Sequence, residues 1–399
     1  MGRFREMASR AFEAGEYKKA LEYADKSLAR YPYNMESLNI AAMAATQLGE
    51  YQKAVALYEQ ALLLQGETPE VYHNIGLLHA HMGDHKGAVK IYREALALDQ
   101  NSSEIYVSLA NSLGETGQVE AALAAYDEAL RIEPGMKDAL YNKGVTLNKA
   151  ERFQEAADIF KGLLAVEPDD DVVLSARACS LNMMGRPAEA LGLFQKAADI
   201  SQPSPGLFYN MALTLEKLGR REYAVLALDR ALELDPDFPG VVLEKANILG
   251  DLGRDEEAVD IYNYEAERQH DEPIIYFNRG ISLARLGREE EALRDFNHAL
   301  RLDAGNLDAL NNKGSILLSL GLYAEALGCF EDILKADRKN VMANYNKACA
   351  YARMGEPKKA AAALKRAAQL NRSVLEKAAG DEDFKGAMEH PEFRALFAR

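Results

Sequence analysis

Apolar residues return along this chain at helical intervals, and the helical pattern itself returns every 34 residues. Counting slots from Met1, positions 4, 8 and 11, joined by 3, 7, 10 and 14, trace one face of a first helix. Slots 20, 21, 24, 27 and 28 trace one face of a second. Eleven frames fit without insertion or deletion: 1–34, 35–68, 69–102, 103–136, 137–170, 171–204, 205–238, 239–272, 273–306, 307–340 and 341–374. The remaining residues, 375–399, leave the register but stay amphipathic, which predicts a capping helix over the last frame.

Each fixed slot has a physical reason. Slot 20 is Ala in all eleven frames and slot 8 is Ala or Gly in all eleven, so two helices can approach closely there. Slot 24 is aromatic in eight frames and fills the space beside these small residues. Slot 15 is Gly in ten frames, as suits the left-handed residue that ends a helix, with Glu151 the exception. Pro187 and Pro357 at slot 17 suit a first helical turn, and Pro32, Pro134, Pro168 and Pro236 at slot 32 stop the second helix. One hairpin cannot bury its apolar face alone, whereas a stack of them makes a continuous core. Two prolines in "SQPSPG" (201–206) mark either a joint between frames or an ordinary turn.

Runs such as "LGEYQKAVALYEQAL" (48–62) and "LGLYAEALGCFEDIL" (320–334) resemble the tetratricopeptide repeat family, over residues 1 to about 374. The resemblance implies an all-α protein, a right-handed α-solenoid superhelix of eleven repeats closed by a C-terminal capping helix. It also implies that the first helix of each repeat lines a concave groove. The chain departs from the family pattern at slot 4, which lacks Trp, at Glu151, and at Glu265 in a slot usually filled by Ala.

On a helical wheel of about 100° per residue, slots 2, 5, 6, 9, 12 and 13 fall opposite the apolar arc, and so would face that groove. Slot 6 carries Asn74, Asn142, Asn210, Asn278, Asn312 and Asn346. A carboxamide both donates and accepts, so a row of them can hold the backbone of an extended peptide without reading its side chains. The other reading is a solvated side chain, or one bonded to a neighbouring helix. Tyr141, Tyr209, Phe277 and Tyr345 precede four of these at slot 5, either as side-chain pockets or as packing against the adjacent helix.

Slot 7, inside the apolar arc, carries Lys143, Arg177, Lys245, Arg279, Lys313 and Lys347. Charges there need partners, and the long stems can pack while the heads reach outward. These are assigned to structure. Arg5, Ser9 and Ile40 provide no carboxylate clamp of the kind some co-chaperones of this family use. The acidic slot 2 residues Glu36, Glu70, Glu104, Asp138 and Asp308 suit helix N-termini, or a groove favouring a basic stretch.

His73, His79, His81 and His85 cluster in the third frame without helical metal-ligand spacing, and no metal or other cofactor is expected. Nor is any nucleophile–base set or phosphate loop discernible, so the chain is expected to be no enzyme. A formal net charge of −15 argues against nucleic acid and anionic membrane as partners. Three cysteines without disulfide spacing and the lack of a signal-like or spanning apolar run point to the cytoplasm.

The function expected is therefore a scaffold that binds an extended peptide segment of a partner protein. One alternative is a substrate-targeting or regulatory subunit acting with a separate transferase or chaperone. A second is a self-assembling structural protein, which the charged ending "GDEDFKGAMEHPEFR" disfavours. The oligomeric state stays open, with a monomer favoured.

Overall fold

The computed structural model describes residues 2–200 and 203–397. Among these, helices alternate with tight turns and no strand occurs. The chain divides into two compact units, residues 1–203 and 204–399. In the first, α1 (Arg3–Glu13) pairs with α2 (Tyr17–Arg30), α3 (Met35–Gln47) with α4 (Tyr51–Gln65), and α5 (Pro69–His81) with α6 (His85–Leu98). The same unit pairs α7 (Ser103–Glu115) with α8 (Val119–Ile132), α9 (Lys137–Lys149) with α10 (Phe153–Val166), and α11 (Asp171–Met183) with α12 (Pro187–Ile200).

The second unit continues with α13 (Pro205–Lys217) on α14 (Arg221–Leu234), and α15 (Val241–Asp251) on α16 (Asp255–Arg268). It then pairs α17 (Pro273–Arg285) with α18 (Glu289–Leu302), α19 (Leu307–Ser319) with α20 (Tyr323–Ala336), and α21 (Val341–Arg353) with α22 (Pro357–Leu370). Of the proline-marked stretch, Ser201 and Gln202 lie outside the described residues. Ser204 caps α13, its Oγ accepting from the Leu207 amide at 3.2 Å.

The hairpins form for the reasons the slots give. Every slot 15 Gly has a positive φ, and Glu151 takes the same left-handed conformation at 60°, so the turn persists there despite its side chain. Slot 34 starts the next helix: Asn34, Asp170, Asn306 and Asn340 each accept a backbone N–H three residues on, at 2.8 to 2.9 Å. All slot 20 alanines are fully buried. The slot 24 ring lies directly over slot 8 of its own hairpin, with Tyr92 against Gly76, Phe160 against Gly144, Phe296 against Gly280 and Phe330 against Gly314. Burying each such ring contributes about 2–3 kcal/mol.

Within each unit the first helices of successive hairpins touch one another, as α7 touches α9 and α15 touches α17, more than the second helices do. That asymmetry makes the first-helix side the inner one.

The C-terminal residues cover α22, but as short pieces and not as one continuous helix. They run through α23 (Val374–Ala379), 3₁₀ turns at Glu382–Phe384 and Ala387–Glu389, α24 (Pro391–Arg394), and a last turn at Ala395–Phe397. Gly380, Gly386 and Pro391 interrupt helical propagation. Phe384 and Phe393 are fully buried there, in one cluster with Ala360 and Leu364 of α22.

Candidate functional site

Within each unit, slots 5, 6, 9, 12 and 13 lie opposite the apolar arc of the first helices, on the side taken as the inner face. All six slot 6 asparagines are half-buried on it. Asn278 Nδ2 donates to Asn247 Oδ1 of the preceding first helix at 2.8 Å. Asn346 Nδ2 likewise donates to Asn311 Oδ1 at 3.1 Å. Asn142 lines a cavity of about 300 Å³ between α7 and α9, with Asn111, Tyr126 and Lys149 on its wall. Asn278 lines a smaller one of about 140 Å³ between α15 and α17, with Asn247, Tyr262 and Arg285. The main-chain carbonyl of Asn210 accepts from Thr214 Oγ1 at 2.7 Å.

The slot 5 aromatics pack against other rings. Tyr141 sits 5.8 Å from Phe160, Phe277 6.1 Å from Phe296, and Tyr209 6.2 Å from Phe238, between centroids. All three remain half-buried at the inner face. Tyr345 departs from the expected groove contact. It is 2% exposed, its hydroxyl donates to Asp381 Oδ2 at 2.6 Å, and its ring meets Phe384, so it is closed beneath the C-terminal segment.

Three of the slot 7 cations find an acid on the second helix of the preceding hairpin, and Arg279 finds one on the second helix of its own. Lys143 meets Asp127 at 2.5 Å, Lys245 meets Asp229 at 2.6 Å, and Lys347 meets Glu331 at 2.7 Å. Arg279 forks onto both oxygens of Asp295, at 2.6 and 2.7 Å, and reaches Asn263 Oδ1 at 2.9 Å. These partners stand at slots 23 and 25, which the apolar periodicity does not mark. Their signal was present, because an acid occupies slot 25 in the frame preceding Lys143, Lys245 and Lys347.

The histidines do not converge. His73 Nε2 bonds Ser108 Oγ at 2.9 Å, His79 Nδ1 bonds Asp84 Oδ2 at 2.9 Å, and His81 stacks on Tyr51. Burial holds the His73 ring below its ordinary pKa, opposed by Glu104. Among the described residues, the set of metal-type side chains that does converge is Cys349, Asp381 and Asp383, with ligand atoms within 4.8 Å. Burial, then the two aspartates, push the Cys349 thiol well up and keep it protonated, and Tyr345 occupies Asp381. This cluster therefore fastens the C-terminal segment to α21.

Electrostatics on the inner face are local. Lys149 beside Glu115, at 2.7 Å, holds that carboxyl below its usual range. Burial pushes the Tyr126 hydroxyl up. Burial, then the neighbouring Glu216, push the Glu244 carboxyl up. No helix among the described residues is long and apolar enough to cross a membrane.

Stacked hairpins with a polar, amide-rich inner face and a small-residue spine define a helical repeat protein of the interaction-module class. Models described as tetratricopeptide repeat match residues 33–101, 67–133, 107–171, 209–273, 277–341 and 311–374. The chain belongs to the tetratricopeptide repeat family, and with it to the scaffolds of protein–protein interaction. No characterised protein matches it by sequence comparison.

Among solved structures it is similar to a tetratricopeptide repeat protein from Parabacteroides merdae, at 19% identity and a TM-score of 0.52, over 60% of this chain and 94% of that one. It is also similar to the Cut9–Hcn1 hetero-tetramer of the APC/C, at 14% identity and a TM-score of 0.45, over 99% and 96%. For yeast Tom70 the values are 15% and 0.40, over 97% and 94%.

Proposed function

We propose that this protein is a non-catalytic scaffold whose inner face binds an extended segment of a partner protein, with residues 1–374 acting as eleven tandem repeats and 375–399 as their cap. The supporting observation is the tethering of the slot 6 carboxamides. Asn278 and Asn346 commit Nδ2 to the preceding first helix, which orients each side chain and leaves Oδ1 as the acceptor offered to a ligand. Helices spaced about 8–10 Å apart, against about 3.3 Å of extended chain per residue, would meet a peptide backbone at roughly every third residue. Asn278, Asn312 and Asn346 stand in consecutive repeats and form the densest part of the row. Three unpaired cysteines suit a reducing compartment, so we place the protein in the cytoplasm.

Selection from a random dodecapeptide library, followed by titration of the selected peptides, tests this. Asn278→Ala/Asn312→Ala/Asn346→Ala is expected to fold and to weaken binding, while losing about 1 kcal/mol of stability for each of the two inter-helix hydrogen bonds it removes. Equal binding by the triple variant, or no selectable peptide at all, would overturn the reading.

A further inference from the structure

The cavities beside Asn142 and Asn278 are two copies of one site, four frames apart. Slot 9 is Asn only in frames 4 and 8 (Asn111, Asn247), and slot 12 is Gly only in those frames (Gly114, Gly250). Slot 13 there is acidic (Glu115, Asp251) and slot 24 is Tyr (Tyr126, Tyr262). The following frame adds slot 6 Asn, an aliphatic residue at slot 9 (Val145, Ile281), a small hydroxyl at slot 10 (Thr146, Ser282) and a base at slot 13 (Lys149, Arg285). All eight of these positions line the cavity in both copies. Each copy lies wholly inside one unit.

The internal hydrogen bonds determine what is left for a ligand. Tyr262 donates to Asn247 Oδ1 at 2.6 Å and Asn278 Nδ2 donates to the same atom, so that oxygen is saturated. Tyr126 donates to Asn111 Oδ1 in the other copy. The Asn247 carboxamide also donates to Glu244, which leaves its second N–H beside the Asn278 carboxamide oxygen, a donor and an acceptor side by side, with Asn111 and Asn142 at the same positions in the other copy.

Charges in the cavity are already matched. Lys149 pairs with Glu115 at 2.7 Å. Arg285 donates to the Gly250 carbonyl at 2.6 Å and faces Asp255 at 3.5 Å, while Asp251 faces Arg221 at 3.6 Å. A charged guest would have to break one of these pairs, so a neutral polar guest is favoured. The aliphatic side chain at slot 9 of the second helix offers a surface for methylenes.

Glycine at slot 12 keeps the floor open. A Cβ on Gly114 would touch only Thr146, at 3.7 Å, so a side chain there fits the fold and occupies the cavity. We infer that each cavity receives the primary carboxamide of an Asn or Gln side chain, making frames 4–5 and 8–9 two readers of that residue type. This rests on the reading above only in that the carboxamide arrives on a peptide.

Side-chain amide NMR of the full chain tests it with a minimal probe, N-acetyl-glutamine methylamide. The expected result is saturable shifts of Asn111, Asn142, Asn247 and Asn278, absent with the corresponding glutamate and lysine derivatives. Gly114→Ala should weaken the Asn111 and Asn142 response about tenfold, leaving the Asn247 and Asn278 response intact as an internal control for folding. Gly250→Ala should do the converse. Equal shifts with the glutamate derivative, no saturable shift, or indifference to the glycine variants would each overturn the inference. Selected peptides without Asn or Gln enrichment, bound normally by both glycine variants, would overturn it while leaving the scaffold reading standing. Probe binding alongside a failed peptide selection would sustain it and remove that reading.

Discussion

Phe160 occupies the place that a side chain on Gly144 would need: a Cβ built there would stand 2.6 Å from its Cζ and 2.7 Å from its Cε1. Gly144→Ala therefore overpacks the hairpin and is expected to cost about 1–3 kcal/mol, although Ala is the better helix former. Pairing it with Phe160→Leu should recover part of that loss. Urea unfolding of the two variants and their combination measures the coupling.

Glu151 holds the left-handed turn between α9 and α10 at a φ of 60°, where ten other frames use Gly. Glu151→Gly should stabilise the chain by about 1 kcal/mol, because the Cβ penalty disappears while the turn stays. Glu151→Ala should not. Thermal midpoints of the two variants decide the point.

The first unit's hairpins were legible from slots 8, 15, 20 and 24 because those positions answer to sterics alone, which any residue type reveals. The inner face was only half legible. Helical phase placed Asn142 and Asn278 on it, yet the partners Asn111 and Asn247 come from the preceding frame, and nothing in one frame announces them. Tyr345 shared the slot of Tyr141 and Phe277 but lies under the C-terminal segment, whose short turns after Ala379 break the single helix that its amphipathic pattern predicts. The acids that answer Lys143 and Lys347 were missed for a related reason, since their pairing crosses from one hairpin to the next.

Arg279 and Asp295 are both largely buried, at 17% and 9% side-chain exposure, and bonded through two nitrogens. Removing one partner should be far worse than removing both. Asp295→Asn is expected to cost about 3 kcal/mol, and Arg279→Met/Asp295→Leu to cost less than the single change. Equilibrium denaturation of both variants provides the comparison. Equal losses would mean the pair carries no special cost when broken.

Glu244 has its carboxyl pushed above the ordinary carboxylate range by burial and by Glu216. The folded chain therefore holds that proton more tightly than the unfolded one, so stability from this group is full at low pH and falls as pH rises through the raised value. Glu244→Gln, which mimics the protonated form, should match the wild type near pH 4 and exceed it at pH 7. The difference between their denaturation midpoints across that range gives the sign.

Binding along the asparagine row would place the ligand on the first helices. Hydrogen exchange of the whole chain, with and without a selected peptide, tests it most directly. Slower exchange is expected in α17, α19 and α21, with little change in α18, α20 and α22, and with loss of the effect in the Asn278→Ala/Asn312→Ala/Asn346→Ala variant. Protection confined to the second helices, or the same protection in that variant, would contradict it.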